Sequence, residues 1–324
     1  MNFGLGEALS LASAAAWAVG VILYRRLGES LPPLTLCFLK NLLVLGMLVP
    51  IAVLLHGPAV PVIPWPDVLL ALASGVVGIA VADTLYFKAL NALGAARMGV
   101  IGNLYSPFVI VLGVLVLGER LGLLQLLGFA LVMAGVALVS RPARPAPATT
   151  ERLAGEVLVD AAGGTALPPR PQPGLKANGP LLATVLGVVA IALMAVAIIM
   201  VKRTLEEQPL GWITLLRVAG AIGGLLVIAA FRGGIRARLW PGRGRVDWRR
   251  LAIAAAVGQC LAMLLWLGGY KYTDASIAAV LNETASVFIV ILAWLWLREP
   301  LGRRAIAGVA LTLAGVVVML GPGG

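Results

Sequence analysis

FVIVLGVLVLGERLGLLQLLGFALVMAGV, residues 108–136, and FIVILAWLWLREPLGRRAIAGVALTLAGV, residues 288–316, align without a gap at a constant offset of 180. Thirteen of 29 positions are identical, among them Glu119/Glu299, Gly122/Gly302, Gly128/Gly308 and Gly135/Gly315. A bias toward Ala, Leu, Gly and Val inflates chance identity, but not glutamates and glycines held in register. Nearer the start of each half the offset is 177. There Arg25/Lys202, Arg26/Arg203, Glu29/Glu206, Pro32/Pro209 and Lys40/Arg217 correspond. The chain therefore reads as two related halves.

The composition says what solvent those halves occupy. Of 324 residues, 60% are apolar and 12% charged. Soluble domains run at about 45–50% and about 25%. No single soluble core hides that much apolar surface. A soluble enzyme, a secreted disulfide scaffold and a disordered chain are excluded. Apolar runs of about 20 residues read as membrane-spanning helices. Ten are expected, with cores at 5–24, 34–55, 67–90, 95–117, 121–139, 180–201, 212–231, 248–270, 275–297 and 301–320. Residues 1–139 hold the first five and 179–324 the second five. An odd number of crossings per half inverts the second half against the first. The expected fold is an all-α membrane protein of ten transmembrane helices, arranged as two inverted five-helix repeats. Segment 140–178, with seven prolines among Gly, Ala and scattered charges, reads as a Pro-rich flexible linker.

The net charge of +11 lies mostly between the apolar runs. It points to orientation in the bilayer, and no nucleic-acid partner is expected. Residues 232–250 carry seven arginines and one acid beside Trp240 and Trp248, which suits anionic headgroups at an interface. Cys37 and Cys260 sit in separate apolar runs, and His56 is the sole histidine. No metal site and no bound cofactor are expected. The N-terminal stretch carries Glu7 and lacks a basic leader region, so the first apolar run is expected to be retained.

Two longer stretches carry a family resemblance. YFKALNALGAARMGVIGNLYSPFVIVLGVLVLGERLGLLQLLGFALVMAGVAL, residues 86–138, resembles one EamA repeat of the drug/metabolite transporter superfamily. GGYKYTDASIAAVLNETASVFIVILAWLWLREPLGRRAIAGVALTLAGVVV, residues 268–318, resembles its paired repeat. The shared features are a glutamate where the fifth span begins, an aromatic stretch leading into Ala-rich sequence, and a glycine rhythm. The family often has a proline midway along the fourth helix of each half. Pro107 fits, whereas Val287 stands at the second-half position. The resemblance implies gradient-linked transport or exchange of small metabolites, often amino-acid export, with both termini in the cytoplasm.

No catalytic constellation is present, so an enzyme is not expected. The informative residues are polar ones inside apolar spans, each costing roughly 2.5–3.5 kcal/mol at mid-membrane when unpaired. Lys40 lies about six residues into span 2, roughly 9 Å at the helical rise. Asp83 lies at a similar depth from the same face, and Asn103 enters span 4 from there too. From the opposite face, Arg217 and Glu283 (repeat counterparts of Lys40 and Asn103) lie five and eight residues into spans 7 and 9, with Asn282 beside Glu283. One cluster is therefore expected toward each face: Lys40 with Asp83 and Asn103, and Arg217 with Glu283. They read as gates or substrate contacts around a central cavity, with Glu283 or Asp83 as proton carrier, or else as static ion pairs. Tyr86, Tyr105, Gln259 and Trp266 are further candidates for the pathway lining, packing being the alternative for each. Glu119 and Glu299 read as structural carboxylates at helix junctions, where a negative charge offsets a helix N-terminus. The glycines of GFALVMAG and GVALTLAG allow close helix packing, within the chain or in a homodimer.

Lysine and arginine total 19 in the odd-numbered loops and 4 in the even-numbered ones, which makes the odd loops cytoplasmic and puts both termini outside. The resemblance implies the reverse. The expected function is secondary active transport of a small organic metabolite by alternating access in the cell (inner) membrane. Protons are a candidate coupling ion. A flippase for lipid-like substrates and a non-transporting scaffold subunit are the alternatives.

Overall fold

The computed structural model describes residues 4–28, 33–57, 60–93, 101–140, 180–231, 234–235, 239–240, 246–288, 291–292 and 303–320. The Pro-rich linker and Glu299 lie outside them. All regular structure among the described residues is helical. The first half holds α1 (Leu5–Gly28), α2 (Pro33–His56), α3 (Trp65–Gly75), α4 (Ala82–Leu93), α5 (Tyr105–Leu112) and α6 (Leu123–Ser140). The second holds α7 (Pro180–Glu207), α8 (Leu210–Phe231), α9 (Trp248–Ala255), α10 (Ala262–Tyr272), α11 (Ala275–Glu283) and α12 (Arg303–Leu320). Among the described residues, five helices are long and apolar enough to cross a membrane: Leu34–His56, Trp65–Tyr86, Leu181–Glu207, Leu210–Phe231 and Trp248–Tyr272. Five more apolar helices, of 10–17 residues, fall where the other spans were expected.

Two irregularities recur at equivalent places in the halves. A π-helical turn, Val76–Val81, joins α3 to α4, and another, Ala256–Leu261, joins α9 to α10. Their offset is 180, that of the sequence repeat. A π turn widens the helix by one residue and re-aims the helical turns beyond it, and such turns gather at functional sites. Here Asp83 comes just after the first turn and Gln259 lies inside the second.

The second irregularity is a break in spans 4 and 9. The helix is interrupted at Asn103–Leu104 and at Thr284. At each break an N–H bonds three residues back rather than four: Leu104 to Ile101 O at 3.0 Å, and Thr284 to Leu281 O at 3.2 Å. In the first half Pro107, lacking an N–H, leaves the Asn103 carbonyl without its helical donor. In the second half Val287 has no such effect. Instead the Thr284 hydroxyl donates to the Leu281 carbonyl at 2.6 Å, competing with the helical ladder. Both halves thus interrupt the helix at counterpart positions by different chemistry.

The halves pack on each other in antiparallel pairs. A Cβ on Gly6 would lie 2.7 Å from the Thr273 nitrogen, while Gly20 abuts Gly258, so α1 runs against α9–α10. Correspondingly α3–α4 runs against α7: Asp67 bonds Thr204 at 2.9 Å, and a Cβ on Gly78 would lie 2.6 Å from Ala197 Cβ. Gly20 and Ala197 are themselves counterparts, as are Gly258 and Gly78. The glycines of GFALVMAG and GVALTLAG meet inside the chain. A Cβ on Gly128 would lie 2.7 Å from Gly315 O, and one on Gly135 would lie 2.7 Å from Gly308 O. The largest core cluster draws Val44 and Leu48 from α2, Ile198 and Leu205 from α7, Ile213 and Val218 from α8, and Leu267 and Tyr270 from α10.

Candidate functional site

Lys40 on α2 is buried, and its Nζ lies 3.5 Å from Asp83 Oδ2 and 3.3 Å from Gln259 Oε1. Lys40 and Asp83 are both in the first half and Gln259 is in the second, so the ion pair lies within one half and the Lys40–Gln259 hydrogen bond crosses to the other. Gln259 also reaches Met263 Sδ through Nε2, at 3.9 Å. Gln259 takes the place expected for Asn103, which stands at the break of span 4. No hydrogen bond joins Asn103 to Lys40 among the described residues.

Arg217 is 2% exposed, and no carboxylate lies within ion-pair distance of it among the described residues. The expected Arg217–Glu283 pair is not formed. Arg217 Nη1 donates instead to Ser74 Oγ at 2.6 Å and to the Ala197 carbonyl at 3.4 Å. Its guanidinium carbon sits 5.7 Å from the Trp266 ring centre. The reason is helix packing: α8 approaches α3 so closely that a Cβ on Gly75 would run into the Arg217 carbonyl. That contact points the side chain at Ser74 and α7. Glu283 Oε1 accepts from Ser106 Oγ at 2.7 Å, and the same hydroxyl lies 3.1 Å from the Ala279 carbonyl.

An aromatic group lies between these residues. Trp266 meets Tyr270 edge-on at 5.2 Å, and the Tyr270 and Tyr105 hydroxyls are 2.9 Å apart. Tyr105 is within electrostatic reach of both Arg217 and Glu283. Tyr86 packs among Ala89, Ile191 and Phe108. Asn282 donates from Nδ2 to the Ala278 carbonyl at 2.7 Å, which ties it into its own helix.

Glu119 does sit at a helix junction, but it caps a helix other than the one it precedes. Its carboxylate accepts from the Ala275 and Ser276 amides at 2.6 and 3.0 Å and from Ser276 Oγ at 2.5 Å, closing the N-terminus of α11 across the half boundary. The helix just after Glu119 is served by Gln125, which accepts from the Gly122 amide at 2.8 Å. At the same end of the bundle Glu7 accepts from Thr273 Oγ1 at 2.7 Å, and Lys271 donates to the Leu205, Glu206 and Gln208 carbonyls. Asp274, half-buried there, has its carboxyl pushed above the ordinary range by burial and by Glu119 beside it.

Three polar neighbours of these residues escaped the sequence: Ser74, Ser106 and Tyr270. Each is a lone polar group in an apolar span. Ser74 and Ser106 carry no charge to flag them, and Tyr270 near a helix end resembles an interfacial anchor. The usable signal was weak, a polar residue on the same helix face as small ones.

A bundle of apolar helices with buried charged groups where its two halves meet defines an integral membrane protein of the solute-transporter class. The sequence profile of the EamA-like transporter family matches residues 4–141 and 181–321. The chain belongs to that family, and with it to the drug/metabolite transporter superfamily. One solved crystal structure of a protein is similar over 97% of this chain and 95% of its own, with 18% identity and a TM-score of 0.71. That likeness shows the fold alone. None of the curated proteins matches the chain.

Proposed function

We propose that the protein is a secondary active transporter of a small organic metabolite, crossing the cell (inner) membrane ten times as two inverted repeats and working by alternating access. Amino-acid efflux or exchange falls within this reading. The observation that supports it best is the pair of helix breaks at counterpart positions, Asn103–Leu104 and Thr284. Discontinuous helices near mid-depth, meeting at a repeat interface, are where transporters place their sites. Lys40, Asp83, Gln259, Arg217 and Glu283 all lie near that interface. Glu283 suits proton coupling, because its hydroxyl partner serves both protonation states: Ser106 Oγ donates to a carboxylate and accepts from a carboxylic acid.

The test is counterflow in proteoliposomes, with solutes first selected by thermal stabilisation of the purified protein. Glu283→Gln is expected to abolish uptake driven by a pH gradient while leaving counterflow intact. Unchanged pH-driven uptake would remove Glu283 from coupling. A protein that no solute stabilises and that shows no counterflow would be a scaffold rather than a carrier.

A further inference from the structure

We propose that the unpaired Nε–Nη2 edge of the Arg217 guanidinium is a binding subsite for the carboxylate of an organic anion. The proposal rests on the transporter reading for its purpose, but its geometry stands apart from that reading.

The repeat supplies the first observation. Lys40 and Arg217 are counterparts, yet their surroundings differ. Lys40 has Asp83 as counter-ion and Gln259 as a second acceptor. At the offset of 180, the counterpart of Asp83 is Met263 and that of Gln259 is Ile79. Both are apolar and buried in the main core cluster. The duplication has kept the cation and replaced both of its acceptors. Arg217 therefore carries a charge, buried to 2% exposure, with no built-in counter-ion among the described residues.

The guanidinium geometry says where a counter-ion would sit. Every hydrogen bond it makes among the described residues goes through Nη1, to Ser74 and Ala197. Nε is buried and without a partner. Arginine binds a carboxylate in a planar fork, two parallel N–H···O bonds along one edge. The Nε–Nη2 edge is such a fork, and it is the edge left unused. Gly78 lies beside Nη2, and a Cβ there would be in ordinary contact with it at 3.8 Å. Trp266, itself only half-buried, covers the guanidinium at 5.7 Å, and the Tyr105–Tyr270 pair adjoins it. Nη1 holds the group in place, and the aromatic side chains offer an apolar wall for the rest of an anion. A buried cation left alone is costly, whereas a carboxylate arriving with the solute both neutralises it and fills the fork. A solute cation would meet repulsion at the same point.

The experiment uses the full chain in detergent micelles and three matched probes: 3-phenylpropanoate, its carboxamide, and 3-phenylpropylammonium. Binding is read by thermal shift and by equilibrium titration. The carboxylate is expected to bind roughly ten- to hundredfold more tightly than the amide, the range that charge-assisted hydrogen bonds supply. The ammonium compound is expected not to bind. Arg217→Lys, which keeps the charge but loses the fork, should erase most of that preference, and Ser74→Ala should weaken carboxylate binding severalfold. The comparison of probes on the unmodified protein needs no variant to fold. Equal binding of carboxylate and amide, tighter binding of the ammonium, or no binding by any probe would overturn the proposal. So would an unchanged preference in folded Arg217→Lys. Counterflow then separates the two readings. Carboxylate binding without counterflow keeps this site and removes the transport reading. Counterflow of the amide or ammonium without a preference for the carboxylate keeps transport and removes this site.

Discussion

Lys40 and Asp83 can be judged as a pair because neither end of the pair is replaceable alone without leaving a charge behind. Their side chains are 7% and 19% exposed, so neither ion is hydrated as it would be at a surface. In such surroundings attraction and desolvation nearly cancel, and the pair as a whole adds little stability. Removing one partner is different, since the other charge then stays buried without the counter-ion that the pair supplied. Asp83→Leu alone is therefore expected to cost about 3–5 kcal/mol of unfolding free energy, and adding Lys40→Met to it should recover most of that loss. Denaturant titrations in micelles measure all four corners of the cycle. If the double variant is as unstable as the sum of the singles, the two residues are not coupled. The contrast with Glu283 comes from the same physics. Its described partner is a neutral hydroxyl, so loss of its charge leaves no uncompensated ion behind.

At the scale of elements, glycines decide which helices touch. The pair α6 and α12 meets backbone to backbone: a Cβ on Gly315 would lie 2.6 Å from the Val132 nitrogen, and one on Gly135 would lie 2.6 Å from the Thr312 nitrogen. Backbone cannot step aside as the end of a flexible side chain can. Gly135→Ala and Gly315→Ala should each destabilise the protein by about 1–3 kcal/mol. Gly46 in α2 provides the control, with open space around its would-be Cβ. Gly46→Ala should stabilise by about 0.5–1 kcal/mol through helix propensity alone. Thermal melts followed by tryptophan fluorescence test the three together, and equal melts for Gly135→Ala and Gly46→Ala would dismiss the close contact. These elements were legible in the sequence because register is a one-dimensional property. The offset of 180 that aligns the glycines also aligns the π turns. The breaks were only half legible, since a proline marks the first while the second depends on a threonine hydroxyl finding its own backbone. The site was legible as depth but not as azimuth. Counting residues from a span's end brings Lys40 level with Asp83, and it also brings Arg217 level with Glu283. Rotation of α8 against α3, set by the close approach at Gly75, turns Arg217 toward Ser74 instead, and no count along the chain contains that rotation.

Over the whole molecule the two ends of the bundle differ in charge chemistry, and that difference bears on its orientation. At the end where α1 begins, Glu7, Asp67 and Glu119 each bond to a group in the other half, and Asp274 sits beside them. At the opposite end Asp247, counterpart of Asp67, makes no such crossing among the described residues. It caps its own helix by accepting from the Arg250 amide at 3.0 Å and pairs with the Arg250 guanidinium at 3.0 Å. Trp240 and Trp248 lie exposed there with ring centres 6.3 Å apart, next to Arg249 and Arg250. Tryptophan beside arginine at a helix start is the composition of an interface facing anionic lipid, and the cytoplasmic leaflet supplies that lipid. The sequence places 19 of the 25 basic residues in the loops of this same end. Leaving out the five of the linker does not reverse the balance against 4 in the even loops. The charge rule gives the expectation that the arginine-rich end faces the cytoplasm and both termini lie outside, against the orientation that resemblance to the family alone implies. A C-terminal alkaline phosphatase fusion is then expected to be active, and a C-terminal green fluorescent protein fusion dark. Bright fluorescence with an inactive phosphatase would reverse the assignment. It would also place the acid-rich end of Glu7, Asp67 and Glu119 on the cytoplasmic side.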